Sequence, residues 1–192
     1  MRILAMLIIM TTLAGCATSR EPERGAEAMI ASAVRFATPG PRALGYEVAA
    51  EQLVSAHYRG DAFVWEAHID VTAERMEIVG LDGFGRRAFT MRWRGDGLSY
   101  EAASWLPTAI KPGNVLADIA LLYWPQEMVA AALAGSGAVV VTTAAHRSVT
   151  LAGSEIIHID YDGAGANAWN GTAHLRNLAF GYELDIQSVR AP

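Results

Sequence analysis

Between residues 62 and 71 apolar and polar side chains alternate. Phe63, Trp65, Ala67, Ile69 and Val71 fall on one side, and Val64, Glu66, His68 and Asp70 on the other. A period of two predicts a half-buried β-strand. The pattern recurs on both sides of this segment. Residues 44–58 carry Tyr46, Val48, Ala50, Val54 and Tyr58 on one parity, residues 75–81 form a third strand, residues 86–94 set Phe89, Met91 and Trp93 against Arg92 and Arg94, and residues 98–102 return. Gly60-Asp61, Asp82-Gly83-Phe84-Gly85 and Gly95-Asp96-Gly97 punctuate these runs. Turn signals about every ten residues predict an antiparallel meander. A second group of strands is predicted at 138–143, 147–151, 155–161, 168–176 and 180–189. In the last of them Tyr182, Leu184 and Ile186 alternate with Glu183, Asp185 and Gln187.

The segment 106–135 breaks this rhythm. Pro107 and Pro112 are helix-start signals, and Val115, Leu116, Ile119, Leu122 and Tyr123 share one helical face. Pro125 disfavours helical geometry in Trp124 and so ends the helix. Residues 126–133 read as a second short helix, with Gly135 past its end as a cap. A further helix is expected at 25–36, with Ala28, Met29, Ala33 and Phe36 near one side, stopped by Pro39-Gly40-Pro41. The expected fold is α+β: a curved antiparallel sheet of about ten strands, an open half-barrel with a helical lid inserted mid-chain and an N-terminal helix. Its incompletely covered apolar face is a default ligand site.

Composition adds a compartment. Met1-Arg2 precedes an apolar run from Ile3 to Leu13, too short for a bilayer span and shaped like a secretory signal. It ends in Leu13-Ala14-Gly15-Cys16, and Cys16 is the only cysteine, which excludes an internal disulfide. This sequence resembles the lipobox of bacterial lipoproteins. The resemblance implies a diacylglyceryl thioether on Cys16, cleavage before it, and several acyl chains holding the protein to a membrane at about 0.8 kcal/mol per buried methylene. Residues 1–15 are then the signal peptide, 16–24 a tether and 25–192 one domain. Ala17, where an acidic residue would retain an enterobacterial lipoprotein at the inner membrane, implies the outer membrane, facing the periplasm. The net charge of −5 and the lack of a basic patch argue against nucleic acid as a partner.

A half-barrel lidded by helices behind a lipobox resembles the LolA/LolB fold of lipoprotein carriers. The insert itself resembles an uncharacterised bacterial lipoprotein family, domain of unknown function 3261. The matching residues are Leu106-Pro107, Val115-Leu116-Ala117-Asp118-Ile119 and Leu122-Tyr123-Trp124-Pro125, then Arg147, Gly153, Ile157, Tyr161, Asn177 and Gly181-Tyr182-Glu183-Leu184. Members of that family are often encoded near genes for aryl polyene lipids, so the resemblance implies the handling of a lipid or lipidated cargo. In LolB, lipoprotein insertion depends on a protruding loop with an exposed apolar residue. Phe84 is the candidate here, and its plainer reading is a turn phenylalanine folded onto the sheet.

No catalytic motif is present: Ser136 lies in Gly135-Ser136-Gly137 rather than a hydrolase elbow, and no phosphate loop or cysteine-based metal cluster is found. Glu66, His68 and Asp70 share a strand face that could be a metal or acid–base site but reads more simply as a solvated outer face, as do His158 and Asp160. Arg147 is expected to pair with a carboxylate, and Asp118, in an apolar helix, is a possible buried partner. The candidate cavity lining is Trp65, Phe89, Met91, Trp93, Leu122, Tyr123, Trp124 and Tyr182, with Asp118, Pro125 and Arg147 as structural motif residues. No cofactor and no metal are expected. The leading expectation is a non-enzymatic lipid-binding lipoprotein. The alternatives are an assembly lipoprotein docking a periplasmic protein and, less supported, an enzyme acting on lipids.

Overall fold

The computed structural model describes residues 26–95, 97–108, 110–163 and 169–191. The expected signal peptide and tether, with Cys16, lie outside the described residues. Twelve strands and two α-helices are described. Strands β1 (Glu27–Ala31) and β2 (Val34–Ala37) form a hairpin. A short 3-10 turn, Pro41–Leu44, leads to β3 (Val48–Tyr58), β4 (Asp61–Val71), β5 (Arg75–Leu81), β6 (Arg87–Arg94) and β7 (Gly97–Ala102). Helices α1 (Pro112–Tyr123) and α2 (Gln126–Ala132) follow. The chain closes with β8 (Ala138–Thr142), β9 (His146–Leu151), β10 (Ser154–Gly163), β11 (Gly171–Asn177) and β12 (Tyr182–Arg190).

Strands β3 to β12 build one ten-stranded sheet in the order β7-β6-β5-β4-β3-β12-β11-β10-β9-β8, antiparallel throughout and not closed. Two five-strand meanders meet where β12 pairs with β3, and the helices bridge the two free edges. Alternation decides which way each strand faces. On β3, Val48, Ala50, Gln52 and Val54 are buried and Ala49, Glu51 and Leu53 exposed. A slip of one residue would turn Val48, Ala50 and Val54 to water and Glu51 inward.

Helix α1 is buried without interruption from Leu116 to Trp124. A helix covered on all sides needs partners on both. The sheet lies on one side and the β1–β2 hairpin on the other, packed so closely that a Cβ on Gly113 would lie 2.7 Å from the Glu27 carbonyl oxygen. The hairpin corrects the helix expected at 25–36. Ala28 and Ile30, then Val34 and Phe36, are buried at a period of two while Met29 is 40% exposed. The alanines favour helix locally, but burying one face against α1 overrides propensity.

The polar parity forms the outer face of the sheet. His68 lies 2.9 Å from Glu66 and Asp70 pairs with Arg75. His158 sits between Glu155 and Asp160, at 2.8 and 2.9 Å, and His174 bonds Asp185 at 2.7 Å. In register, His146, Asp160, His174 and Asp185 form one row across β9, β10, β11 and β12. Among the described residues no three His, Cys, Asp or Glu side chains converge as metal ligands would.

Candidate apolar cavity

Between α1 and the inner face of β3, β4, β5 and β12 lies a cavity of about 590 Å³. This is within the roughly 300–1,000 Å³ typical of small-molecule sites. Its walls are Val54, Phe63, Trp65, Ile78, Ile119 and Leu184 and their neighbours. The sheet side follows from inward parity, and the lid side from the face of α1 that carries Val115, Ile119 and Leu122. Gly80 permits one wall: a Cβ there would lie 2.4 Å from the Phe89 ring, so only glycine lets that ring lie flat over β5.

One end is open and the other plugged. At the open end the β3–β4 turn at Arg59 and the β11–β12 turn at Phe180 stand side by side, because Tyr58 pairs with Tyr182. Lys111 at the start of α1 completes this rim, and Arg59, Lys111 and Phe180 are all exposed. At the far end the C-terminus of α1 fills the space. The Tyr123 ring stacks on Trp169 at 3.9 Å, and its hydroxyl accepts from Gln52 at 2.8 Å. The Trp124 indole N–H donates to the Gly40 carbonyl.

This asymmetry sorts the expected lining. Trp65, Phe89, Leu122 and Tyr182 line the cavity. Met91, Trp93, Tyr123 and Trp124 do not. Met91 and Trp93 face inward as expected but lie further along β6, packed in core with Met76 and Leu98 as cross-strand neighbours of Trp93. Tyr123 and Trp124 are the plug. Phe63, Ile119 and Val54 were missed. Parity and the α1 face both pointed to them, but their ordinary aliphatic or aromatic character did not separate them from core.

Two buried polar residues organise the lid, and they do so apart. Arg147, expected to pair with a carboxylate, makes no bond to Asp118, the candidate partner. Its Nη1 donates to the Leu121 carbonyl, its Nη2 to the Trp124 carbonyl at 2.9 Å and its Nε to Thr142 Oγ1 at 2.8 Å. The Tyr161 hydroxyl donates to the Leu122 carbonyl at 2.9 Å. Pro125 ends α1, whose last carbonyls have no helical partner and carry partial negative charge. Arg147 and Tyr161 satisfy them, so a helix terminus takes the place of the carboxylate. Burial pulls the Arg147 pKa down from its ordinary value.

Asp118 instead faces the cavity and accepts a 2.7 Å hydrogen bond from the Tyr182 hydroxyl. Burial in apolar surroundings pushes its carboxyl up to about 7, against the opposing pull of the Tyr182 bond. Burial, and then the neighbouring Asp118, hold the Tyr182 hydroxyl well above its ordinary pKa. The pair is therefore a hydrogen-bonding polar spot on an apolar wall that can lose its charge near neutral pH.

Phe84 is not folded onto the sheet. It is 87% exposed at the tip of the β5–β6 turn. The Arg86 guanidinium lies 5.6 Å from its ring and 5.0 Å from that of Trp105, itself 46% exposed. Asp82 holds this turn by accepting from the Phe84 and Arg86 backbone N–H groups and from the Arg86 side chain. By strand register this turn is at the same end of the sheet as Arg59.

No curated protein matches the chain. The model of a family described as proteins of unknown function, DUF3261, matches residues 49–190, which span β3 to β12 and therefore the whole cavity. The chain belongs to the DUF3261 family.

Proposed function

We propose that this protein is a lipid-anchored outer-membrane lipoprotein that binds or transfers a lipid or lipidated cargo at the periplasmic face, as a LolA/LolB-like carrier rather than an enzyme. The observation that carries this reading is the cavity of about 590 Å³, apolar along its walls and open at one end. Burying a chain there is favourable at roughly 25 cal/mol per Å² of apolar surface. The sheet is open along two edges and lidded by α1, which suits a site that must admit and release a chain. The lipobox ending at Cys16 supports a membrane anchor nearby. The exposed Phe84 suits contact with an apolar surface.

A second reading, an assembly lipoprotein that docks a protein, draws on edge strand β8. Val139 and Val141 are 59% and 50% exposed there, and although Ser136 and Gln126 take the Ala138 and Thr142 N–H groups, an edge strand is a template for strand addition.

The test is native mass spectrometry with lipid extraction on the full chain taken from its own envelope. A defined co-purifying lipid, lost in a folded Trp65→Glu variant, is the expected result. An empty wild-type protein that also takes up no acyl or polyene probe would replace the carrier reading with the docking one.

A further inference from the structure

The charge at the cavity's rim says more about the ligand than apolar character does. Ion pairs hold Arg35, Arg75, Arg86, Arg92 and Arg176 to carboxylates. Arg59 and Lys111, which both border the cavity, take part in no ion pair among the described residues. Arg59 instead lies against a ring, its guanidinium 5.0 Å from the Tyr58 centroid. Arg42, Arg87, Arg94 and Arg190 likewise make no ion pair among the described residues, and Arg59 and Lys111 differ from them in bordering the cavity. Helix α1 begins at the same rim. Lys111 is its N-cap, no side chain caps it, and no acidic residue lies in its first turn. The positive end of the helix dipole therefore adds to the two side chains.

Resting on the carrier reading, we infer that the cavity takes an anionic amphiphile, tail inward along Trp65, Ile119 and Leu122, with its carboxylate or phosphate held between Arg59 and Lys111. Both cations are exposed and rotatable, so they can close on a head group once the tail is seated, and a charge-assisted bond from each is of the strong kind.

The test uses the full chain held in amphipol and three photoreactive, clickable probes of equal chain length: a fatty acid, a lysophosphatidic acid and the corresponding fatty alcohol. Labelled sites are mapped by peptide mass spectrometry. The expected result is labelling of the β4 and α1 cavity peptides by at least one anionic probe, about fivefold or more above the alcohol. The stronger anionic probe identifies the head group. Arg59→Gln with Lys111→Gln should lower anionic labelling to the alcohol level and leave alcohol labelling unchanged, and Lys111→Arg should retain it. Equal labelling by all three probes, or anionic labelling that survives the double variant, overturns this inference while leaving the cavity as a lipid site. Absence of cavity labelling by every probe overturns the carrier reading as well.

Discussion

Asp118 and Arg147 are adjacent in the logic of the sequence and separate in the fold, and each makes its own prediction. Asp118 has a folded-state pKa raised from 3.8 to about 7. Below 3.8 it is protonated whether folded or unfolded, so nothing is lost. As pH rises from 3.8 to about 7 the unfolded chain gives up a proton that the folded chain keeps, and stability falls. The gap corresponds to roughly 4 kcal/mol. Asp118→Asn keeps an acceptor for Tyr182 and removes the titration. Urea unfolding from pH 4 to 8 should show a stability decline in the wild type that is largely absent in the variant. Arg147→Ala leaves the Leu121 and Trp124 carbonyls buried without their donor, a loss of about 3 kcal/mol or more. Because the two side chains share no bond, a double-mutant cycle between them should show coupling below about 0.5 kcal/mol. A coupling of several kcal/mol would restore the ion pair that the sequence suggested. Their mutual pairing was a reasonable expectation, since an arginine and an aspartate in apolar segments each need a partner. The sequence does not show that a helix C-terminus, broken by Pro125, supplies the arginine with one.

At the scale of elements, the lid depends on contact between α1 and the hairpin. Gly113→Ala would drive a methyl group into the Glu27 carbonyl at 2.7 Å. Neither backbone can yield without lifting the helix, so the variant should lose about 1–3 kcal/mol although alanine is the better helix former. An unchanged or raised melting temperature would show that the hairpin does not seat on α1. The outer face makes a different prediction. The Glu155 hydrogen bond, chiefly, and then Asp160 raise the His158 pKa above 6.5. Its contribution is complete below 6.5 and lost as pH rises through the raised folded value. Measured in an Asp118→Asn background, His158→Gln should remove a stability decline that begins above 6.5. Strand positions were readable here because parity reports burial directly. The hairpin was not, because Ala28, Met29, Ala33 and Phe36 fit a helical stripe as well as a strand, and only α1 lying across them chooses.

For the whole molecule, the open sheet has one plugged and one open end, and the open end carries the exposed Phe84, Trp105 and Phe180 together with Arg59 and Lys111. Phe84→Ser removes a side chain that is 87% exposed, so stability should change by less than about 0.5 kcal/mol. On the carrier reading, delivery of a fluorescent lipid to vesicles should nevertheless slow severalfold. Unchanged delivery would leave Phe84 without a part in transfer. The strand-rich order broken at 106–135, the inward and outward faces and the lack of a disulfide are legible in the chain alone, because each is written in local spacing or in a single residue. That β12 returns beside β3, that Tyr123 and Trp124 plug one end while Trp65 and Tyr182 face open space, and that Arg147 caps α1 emerge first in the folded chain. Those outcomes depend on which distant segments meet, and an inward-facing aromatic has the same local pattern whether a neighbour fills the space beside it or leaves it empty.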